Sequence, residues 1–484
     1  MSVRSRYAPS PTGSLHIGTV RTGLFAYLFA RHERGVFILR IDDTDRERST
    51  KESLDEILES LRWLGMQWDE GPPDSTYSQS NRLDRHRELA SKLLRERKAY
   101  PCYCTAAVLD AKRKQAEREH RKPGYDGACR ERDYPADIAL PDKAAGRDYS
   151  IRFRQPRDGE TVVDDLVKGR TVFDNRELDD LIIVRSDGSP VYNFASVVDD
   201  ADFAITHIVR GDDHLPNTPR QIQMFRALGF TPPAFAHLPQ VMGADGGKLS
   251  KRHGATSVFA YRDAGYYPEA LLNFLARLGW SHGDQEIFSK QELIEYFGFD
   301  ACGKSPGVFN AEKLEWLNFH YLKARSPAQL ARDVLPFIER KGYPAPADMG
   351  WLERMVETLR ERAKTLVELV EFAQFYLSDE IAIDPKASAK FLKLEIAAPI
   401  SALASELESL GGAFSESPVQ AAFERVLAKF GLKLGQLAQP VRVALTGGTV
   451  SPGIYEVIAV LGRERTVGRL RAALARINGA AAAS

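Results

Sequence analysis

Cysteine is scarce in this sequence: four residues in 484 cannot build a disulfide framework, which makes a reducing, cytoplasmic setting the expectation. Long apolar runs are missing too. None reaches the roughly 20 residues that a membrane span requires, so no membrane partner is expected. No signal-peptide pattern precedes the first periodic segment. Net charge is also absent, because Lys+Arg and Asp+Glu each total 66. Bulk charge therefore does not advertise a nucleic-acid partner, and any RNA contact must come from local patches. There is no internal repeat. What is left is an ordinary globular composition, 43% hydrophobic, on a chain long enough for several domains of about 100–200 residues each.

The hydrophobic pattern supplies the architecture. Residues 3–7 read as a short strand, followed by the turn-rich Pro9-Ser10-Pro11-Thr12-Gly13. Residues 18–30 carry helical spacing, with Val20, Leu24, Tyr27 and Leu28 on one face. Val36-Phe37-Ile38-Leu39-Arg40-Ile41 is nearly continuous apolar chain, of the kind buried on both faces of a sheet. It ends in Asp42-Asp43-Thr44-Asp45, and residues 54–64 return to helical spacing. Strand, helix, strand, helix predicts a parallel α/β sheet. The pattern loosens over 77–180, where three of the cysteines and a basic stretch (112–132) lie. Extended character is predicted again at 181–185 and 191–198, with strands at 205–210 and 236–242 around a helix at 219–228. The expected fold is thus one doubly wound domain split by an insertion. Beyond about residue 260 helices dominate, with amphipathic stretches at 348–376 and 419–430.

Two constellations carry chemistry. Pro9-Ser10-Pro11-Thr12-Gly13-Ser14-Leu15-His16-Ile17-Gly18 lies between a strand and a helix. A helix N-terminus offers free N–H groups and a positive dipole end, a ready anion site. Gly18 lets phosphate approach the backbone, and His16 can donate to its oxygens. The bland alternative is a turn with a satisfied histidine. Lys248-Leu249-Ser250-Lys251-Arg252 follows Gly243-Ala244-Asp245-Gly246-Gly247. Its lysines, Lys248 and Lys251, can neutralise a bound polyphosphate, whereas alone the segment reads as a solvated basic turn.

In this order, on alternating strands and helices, the two segments resemble the signature motifs of class I aminoacyl-tRNA synthetases. The glutamyl branch is the most similar. Its resemblance extends to Ala8-Pro9-Ser10-Pro11-Thr12-Gly13, Arg40-Ile41-Asp42-Asp43-Thr44-Asp45, Asp187-Gly188-Ser189-Pro190, Tyr192-Asn193-Phe194, Val198-Asp199-Asp200 and Gly435-Gln436. It covers nearly the whole chain. Three positions depart from the class pattern, Thr19 for a histidine, Leu249 for a methionine and Arg252 for a serine, as in that branch. The implied fold is a Rossmann-like parallel sheet split by an insertion, followed by an all-α anticodon-binding region. The implied divisions are 1–78 and 190–247 for the catalytic halves, 79–189 for an acceptor-binding insertion, 248–325 for a stem-contact segment, and 326–380 and 381–484 for two helical anticodon domains.

The resemblance implies ATP-dependent activation of L-glutamate, with Mg²⁺, and transfer of the acyl group to the terminal adenosine of glutamate tRNA, by a monomer. It places glutamate among Arg6, Ala8, Ser10, Asp42, Tyr192, Ser196 and Arg210. The chemistry agrees, since two carboxylates need cationic forks and one ammonium needs an acid. Each arginine alone would more simply be a surface ion pair. Asp42 stands where the family usually has glutamate. ATP is assigned to His16, Gly18, Asp213, Leu238 and Lys251, and catalysis to His16, Lys248 and Lys251.

Cys102-Tyr103-Cys104 and Cys129 are three potential thiolate ligands for zinc. Relatives with a histidine two positions after the third cysteine imply Glu131 as the fourth ligand here, with Tyr125 and His120 as alternatives. A metal-free insertion is the competing reading. Arg362 is similar to the arginine that reads the third anticodon base, which would exclude glutamine tRNA, and Arg442 lies in another anticodon-facing segment. An ordinary ion pair for Arg362 remains open, as does a solvated face for 112–132. The competing functions are a non-discriminating synthetase, a small-cofactor adenylyltransferase and a non-catalytic tRNA-binding paralogue.

Overall fold

The computed structural model describes residues 2–45, 48–120, 124–135, 137–249 and 257–482. The chain divides into two compact units, one of residues 1–261 and 268–311, the other of 262–267 and 312–484.

The first unit begins with β1 (Arg4–Tyr7), α1 (Ile17–His32), β2 (Val36–Leu39) and α2 (Lys51–Trp63). Helix α1 is apolar almost all round because it is covered on more than one side. Val20, Leu24 and Leu28 are fully buried, and Phe25 packs edge-on against Phe297. Gly23 is required where α1 crosses β1, since a Cβ there would come within 2.9 Å of the Tyr7 ring. Next come α3 (Leu83–Arg95), β3 (Ala99–Cys102), α4 (Ala106–Arg118), β4 (Ser150–Phe153), β5 (Glu160–Asp165), β6 (Gly169–Asp174) and β7 (Ile182–Val184). The unit continues with α5 (Tyr192–Asp202), β8 (His207–Gly211), α6 (Thr218–Leu228), β9 (Ala234–Leu238) and β10 (Val241–Met242). After α7 (Val258–Asp263) follow α8 (Pro268–Arg277), α9 (Lys290–Tyr296) and β11 (Gly307–Val308), which pairs with β10.

The main sheet has the order β2-β1-β8-β9-β5-β6. Strands β2, β1, β8, β9 and β5 run parallel, and β6 closes an antiparallel hairpin onto β5. That hairpin comes from within 79–189, so this stretch does not stand apart as a simple insertion: part of it extends the catalytic sheet. The rest forms the antiparallel sheet β3-β4-β7, whose Tyr100, Phe153 and Ile183 share one core with Phe194 of α5 and Phe225 of α6. Residues 192–198, expected to be extended, are helical. An apolar run this short fits a buried strand or a buried helix equally well. Here Phe194, Ala195, Ser196, Val197 and Val198 are all buried, so burial on several faces hides the 3.6-residue period.

The second unit is helical: α10 (Ala311–Ala324), α11 (Pro327–Arg340), α12 (Met349–Leu359), α13 (Leu366–Phe372), α14 (Gln374–Leu377), α15 (Pro385–Phe391), α16 (Ala397–Ser409), α17 (Glu416–Phe430), α18 (Leu434–Thr446), α19 (Ile454–Leu461) and α20 (Arg463–Ala482). The single amphipathic stretch expected over 348–376 is three helices. Asp348 and Thr365 each cap a fresh start by accepting from the backbone three residues on. No described helix is long and apolar enough to cross a membrane.

Candidate functional site

Four adjacent parallel strands of the main sheet, β2, β1, β8 and β9, deliver their C-terminal ends to one cleft of about 540 Å³. Residues just past β1 (Ala8, Pro9, Ser10), past β2 (Asp42), at the end of β8 (Arg210, Gly211) and past β9 (Pro239, Gln240) line it. Strand ends are where open α/β sheets bind ligands, because backbone and helix termini there are free to face a substrate.

The floor of the cleft is a buried charge network. Arg6 and Arg40 share Asp200. Arg6 reaches its two oxygens at 3.1 and 3.3 Å, and Arg40 donates to one of them at 2.6 Å. Arg40 also forks onto Asp42, at 2.7 and 3.2 Å. Burial works against the charge on Asp200, but Arg6 and Arg40 outweigh it and hold the carboxyl below its usual range. For Asp42 burial wins and pushes the carboxyl up, with Arg40 pulling it back. Arg210 is also buried, yet no carboxylate among the described residues pairs with it. Its Nε donates to His237 Nε2 at 3.0 Å and one terminal nitrogen to Thr218 Oγ1 at 2.8 Å. Burial lowers its pKa, with the Tyr192 hydroxyl pulling the other way. Three guanidiniums (Arg6, Arg40, Arg210) are thus set against two carboxylates (Asp42, Asp200). Buried Arg21, which also lines the cleft, donates only to the Pro239 carbonyl, so positive charge is in excess in a desolvated pocket. Such a site is built for an anion.

His16 stands at the other end of the cleft as the N-cap of α1. Its Nδ1 accepts from Gly18 N at 3.1 Å. Burial lowers its pKa, and Lys248 lowers it further, so the ring is neutral at pH 7. With Nδ1 occupied as an acceptor, the proton must sit on Nε2, which makes His16 a donor at a helix N-terminus. Lys248 lines the cleft and lies 3.9 Å from Asp213.

Of the sequence-predicted residues, Arg6, Ala8, Ser10, His16, Gly18, Asp42, Tyr192, Arg210, Asp213 and Lys248 come together around this cleft. Ser196 and Leu238 are buried close by in sequence to lining residues but do not line it themselves. The Ser196 hydroxyl, one helical turn beyond Tyr192, has no hydrogen-bond partner among the described residues. Lys251, with residues 250–256, lies outside the described residues. Arg40 and Asp200 were visible only as parts of quoted motifs, without a role. His237 and Asp165 gave no local signal at all.

The three cysteines also converge. Their sulfurs lie within 4.8 Å of one another, with Cys104 and Cys129 at 3.7 Å. Four-coordinate zinc with bonds of about 2.3 Å spaces its sulfurs about 3.8 Å apart, so the donor set fits. Tyr125 stands beside this set: its hydroxyl is 3.5 Å from Cys102 Sγ and accepts from Cys129 N at 2.9 Å. Burial acts to raise the Cys102 thiol, but hydrogen bonds from Tyr125 and Arg152 bring it below its ordinary value. Burial and the neighbouring thiols push Cys104 up to about 11. Glu131 does not join the cluster. Its side chain is 83% exposed and turned to Arg130 and Arg154, at 3.6 and 3.4 Å. His120 is exposed and likewise outside the group.

Among the described residues of the basic stretch 112–132, several charges are paired where they stand. Lys112 pairs with Asp126, Lys114 with Asp110, and Arg130 with Asp180. In the helical unit Arg362 lies near enough to Arg442 for its charge to act on it. Arg362 is exposed and ion-paired to no described carboxylate. Arg442 donates to Ser451 O at 3.0 Å and Pro452 O at 2.7 Å. Burial lowers the pKa of Arg442, and Arg362 lowers it further. Two arginines left together without an acid form an anion-seeking patch.

A sheet-end cleft, a histidine-capped helix N-terminus opening onto it and a separate helical unit are the parts of a class I synthetase. Residues 2–316 match the family of class I tRNA synthetases (E and Q), catalytic domain, and residues 329–474 match the anticodon binding domain family. The chain belongs to the class I tRNA synthetases of the E and Q family. The glutamate–tRNA ligase of Geobacter sulfurreducens is 53% identical, covering 98% of each chain. That of Thermodesulfovibrio yellowstonii is 50% identical, over 97% of this chain and 98% of its own. Among solved structures, a glutamate tRNA ligase from Elizabethkingia meningosepticum in complex with its amino acid superposes with a TM-score of 0.87. It is 32% identical, with 99% of this chain and 100% of that one covered.

Proposed function

We propose that this chain is a glutamate–tRNA ligase that activates L-glutamate with ATP and transfers it to the 3′-terminal adenosine of glutamate tRNA. The observation that carries the reading is the excess of positive charge in the cleft, to which buried Arg210 and Arg21 contribute without an ion-paired carboxylate. Glutamate, with two carboxylates and one ammonium, bears one net negative charge, whereas glutamine is neutral. Arg6 and Arg210 take the carboxylates and Asp42 the ammonium, with Tyr192 beside them. The α-carboxylate then attacks the α-phosphate of ATP, expelling pyrophosphate. No nucleophile or base from the protein is needed, so its contribution is placement and charge stabilisation. Neutral His16 donates from Nε2 to the phosphate, and Lys248 and Lys251 with Mg²⁺ offset the charge of the triphosphate.

The same reading assigns the acceptor end of the tRNA to 79–189 and the anticodon to 326–380 and 381–484. Arg362 and Arg442 contact the anticodon and exclude glutamine tRNA. Zinc is held by Cys102, Cys104, Cys129 and Tyr125, where it supplies structural cross-linking. Aminoacylation assays with purified glutamate and glutamine tRNAs, run beside metal analysis, test all of this. Charging of glutamate tRNA alone and one zinc per chain are expected. Equal rates with both tRNAs would remove the role given to Arg362, and no charging of either would remove the enzyme reading.

A further inference from the structure

Behind Arg210 lies a buried chain of hydrogen bonds that ends on a strand from the inserted stretch. His237 sits in β9 with no exposed surface, and Asp165 ends β5 and is also buried. Asp165 Oδ2 is 2.6 Å from His237 Nδ1. Its other oxygen accepts from the backbone of Val167 at 2.9 Å and Lys168 at 2.7 Å. On the far side of the ring, Nε2 meets Arg210 Nε at 3.0 Å and Thr218 Oγ1 at 3.0 Å. An arginine can only donate, so Nε2 must be bare and accept. A carboxylate can only accept, so Nδ1 must carry the proton. The two neighbours therefore allow one form of His237, the neutral Nδ1–H tautomer. Burial, which lowers the pKa of His237, favours that neutral form as well.

We propose that His237 and Asp165 are positioning residues for Arg210: by fixing the His237 tautomer they lock the guanidinium so that its free edge faces the amino-acid pocket. The inference rests on the reading of Arg210 as a glutamate ligand. An unpaired buried guanidinium would otherwise turn toward the nearest acid, and Asp200 stands on the same floor. The lock uses Nε and one terminal nitrogen on His237 and Thr218, leaving the remaining donors for substrate.

Replacing Asp165 with asparagine tests this without changing shape. Val167 and Lys168 each present an N–H to one oxygen, at 2.9 and 2.7 Å, whereas the longer His237 N–H contact, 3.2 and 3.1 Å to the two oxygens, is shared. The amide oxygen therefore stays with Val167 and Lys168, and the NH₂ faces Nδ1. The ring proton is then forced onto Nε2, where it meets the Arg210 N–H head on. We expect Asp165→Asn and His237→Phe to raise the KM for glutamate by about tenfold or more, the scale of a lost charge-assisted hydrogen bond. The KM for ATP, and kcat at saturating glutamate, should stay within about threefold. His237→Gln, whose side-chain oxygen replaces Nε2 as acceptor, should restore most of the loss. Two-bond ¹H–¹⁵N spectra of histidine-labelled protein read the tautomer directly, with His237→Gln giving the assignment. Nε2 should be bare in the parent and protonated in Asp165→Asn. A protonated Nε2 in the parent overturns the proposal even if every variant misfolds. Equal rises in both KM values, or an unchanged glutamate KM, would also overturn it. Arg210→Lys separates the two levels. If it leaves the glutamate KM unchanged, the substrate reading of Arg210 fails. If it raises that KM while Asp165→Asn does not, the substrate reading survives and the lock alone is lost.

Discussion

At the scale of single residues, the pocket floor owes its shape to Asp200, which holds two guanidiniums that would otherwise repel each other. Asp200→Asn leaves Arg6 and Arg40 with half a partner in a buried site. Breaking such a pair costs about 3–5 kcal/mol, so the urea midpoint of the catalytic unit should fall accordingly. A midpoint shift worth under about 1 kcal/mol would mean that the network behaves like an exposed one. Tyr125 makes a second residue-level claim. Tyr125→Phe keeps all three thiolates and should weaken zinc retention by about 10–100-fold in chelator competition, whereas Glu131→Gln should leave it unchanged. Individual residues were legible in the sequence in proportion to their neighbours. Arg6, Asp42 and Arg210 stood beside strand ends and carried chemistry on their faces. Asp165 did not, because its partner His237 is 72 positions away and no local pattern encodes that meeting. Glu131 was misplaced as a metal ligand for a different reason. The family resemblance assigned it by the position of a histidine in relatives, but here Arg130 and Arg154 pair with its carboxylate away from the cysteines.

The element that best joins stability to chemistry is α1. His16 both caps the helix, through Nδ1, and offers Nε2 to the cleft. His16→Asn separates the two roles, since asparagine is among the best N-caps but lacks the second nitrogen. It should keep stability within about 1 kcal/mol of the parent while lowering the adenylation rate by about 10²–10³, the usual cost of one transition-state donor. A variant that loses both together would make His16 a structural cap only. At this scale α1, β1, β2, β8, α6 and β9 were readable, since each is long enough or apolar enough to show its period. Helix α5 was not, because burial on several sides erased its polar face. The hairpin of β5 and β6 was missed as part of the main sheet, because pairing with β9 is a long-range choice made by tertiary packing.

For the whole molecule, pH offers a prediction with a definite sign. Burial holds His16, His207, His214 and His237 below the ordinary histidine value. The unfolded chain therefore binds more protons than the folded one below about pH 6.5. The stability these groups confer is fully present above that pH and is lost as pH falls through their folded values. Asp165, Asp199 and Asp200, held below the usual carboxylate range despite burial, add a second loss on further acidification, toward and below about pH 3.9. The urea midpoint should be level from about pH 8 to 7 and drop by pH 5.5. A flat or rising midpoint across that range would contradict the burial of these rings.

The strand order carries one more consequence, for the way the chain is made. Strand β1 leaves the ribosome well before one of its two neighbours, β8, which begins at His207. At about 5–20 residues per second, the intervening 200 or so residues take about 10–40 s to synthesise. Throughout that interval an apolar strand pair has one hydrogen-bonding edge open, the state in which sheets recruit the wrong partner. Nascent-chain aggregation and chaperone demand should therefore peak before residue 211 emerges and decline once β8 has closed the edge.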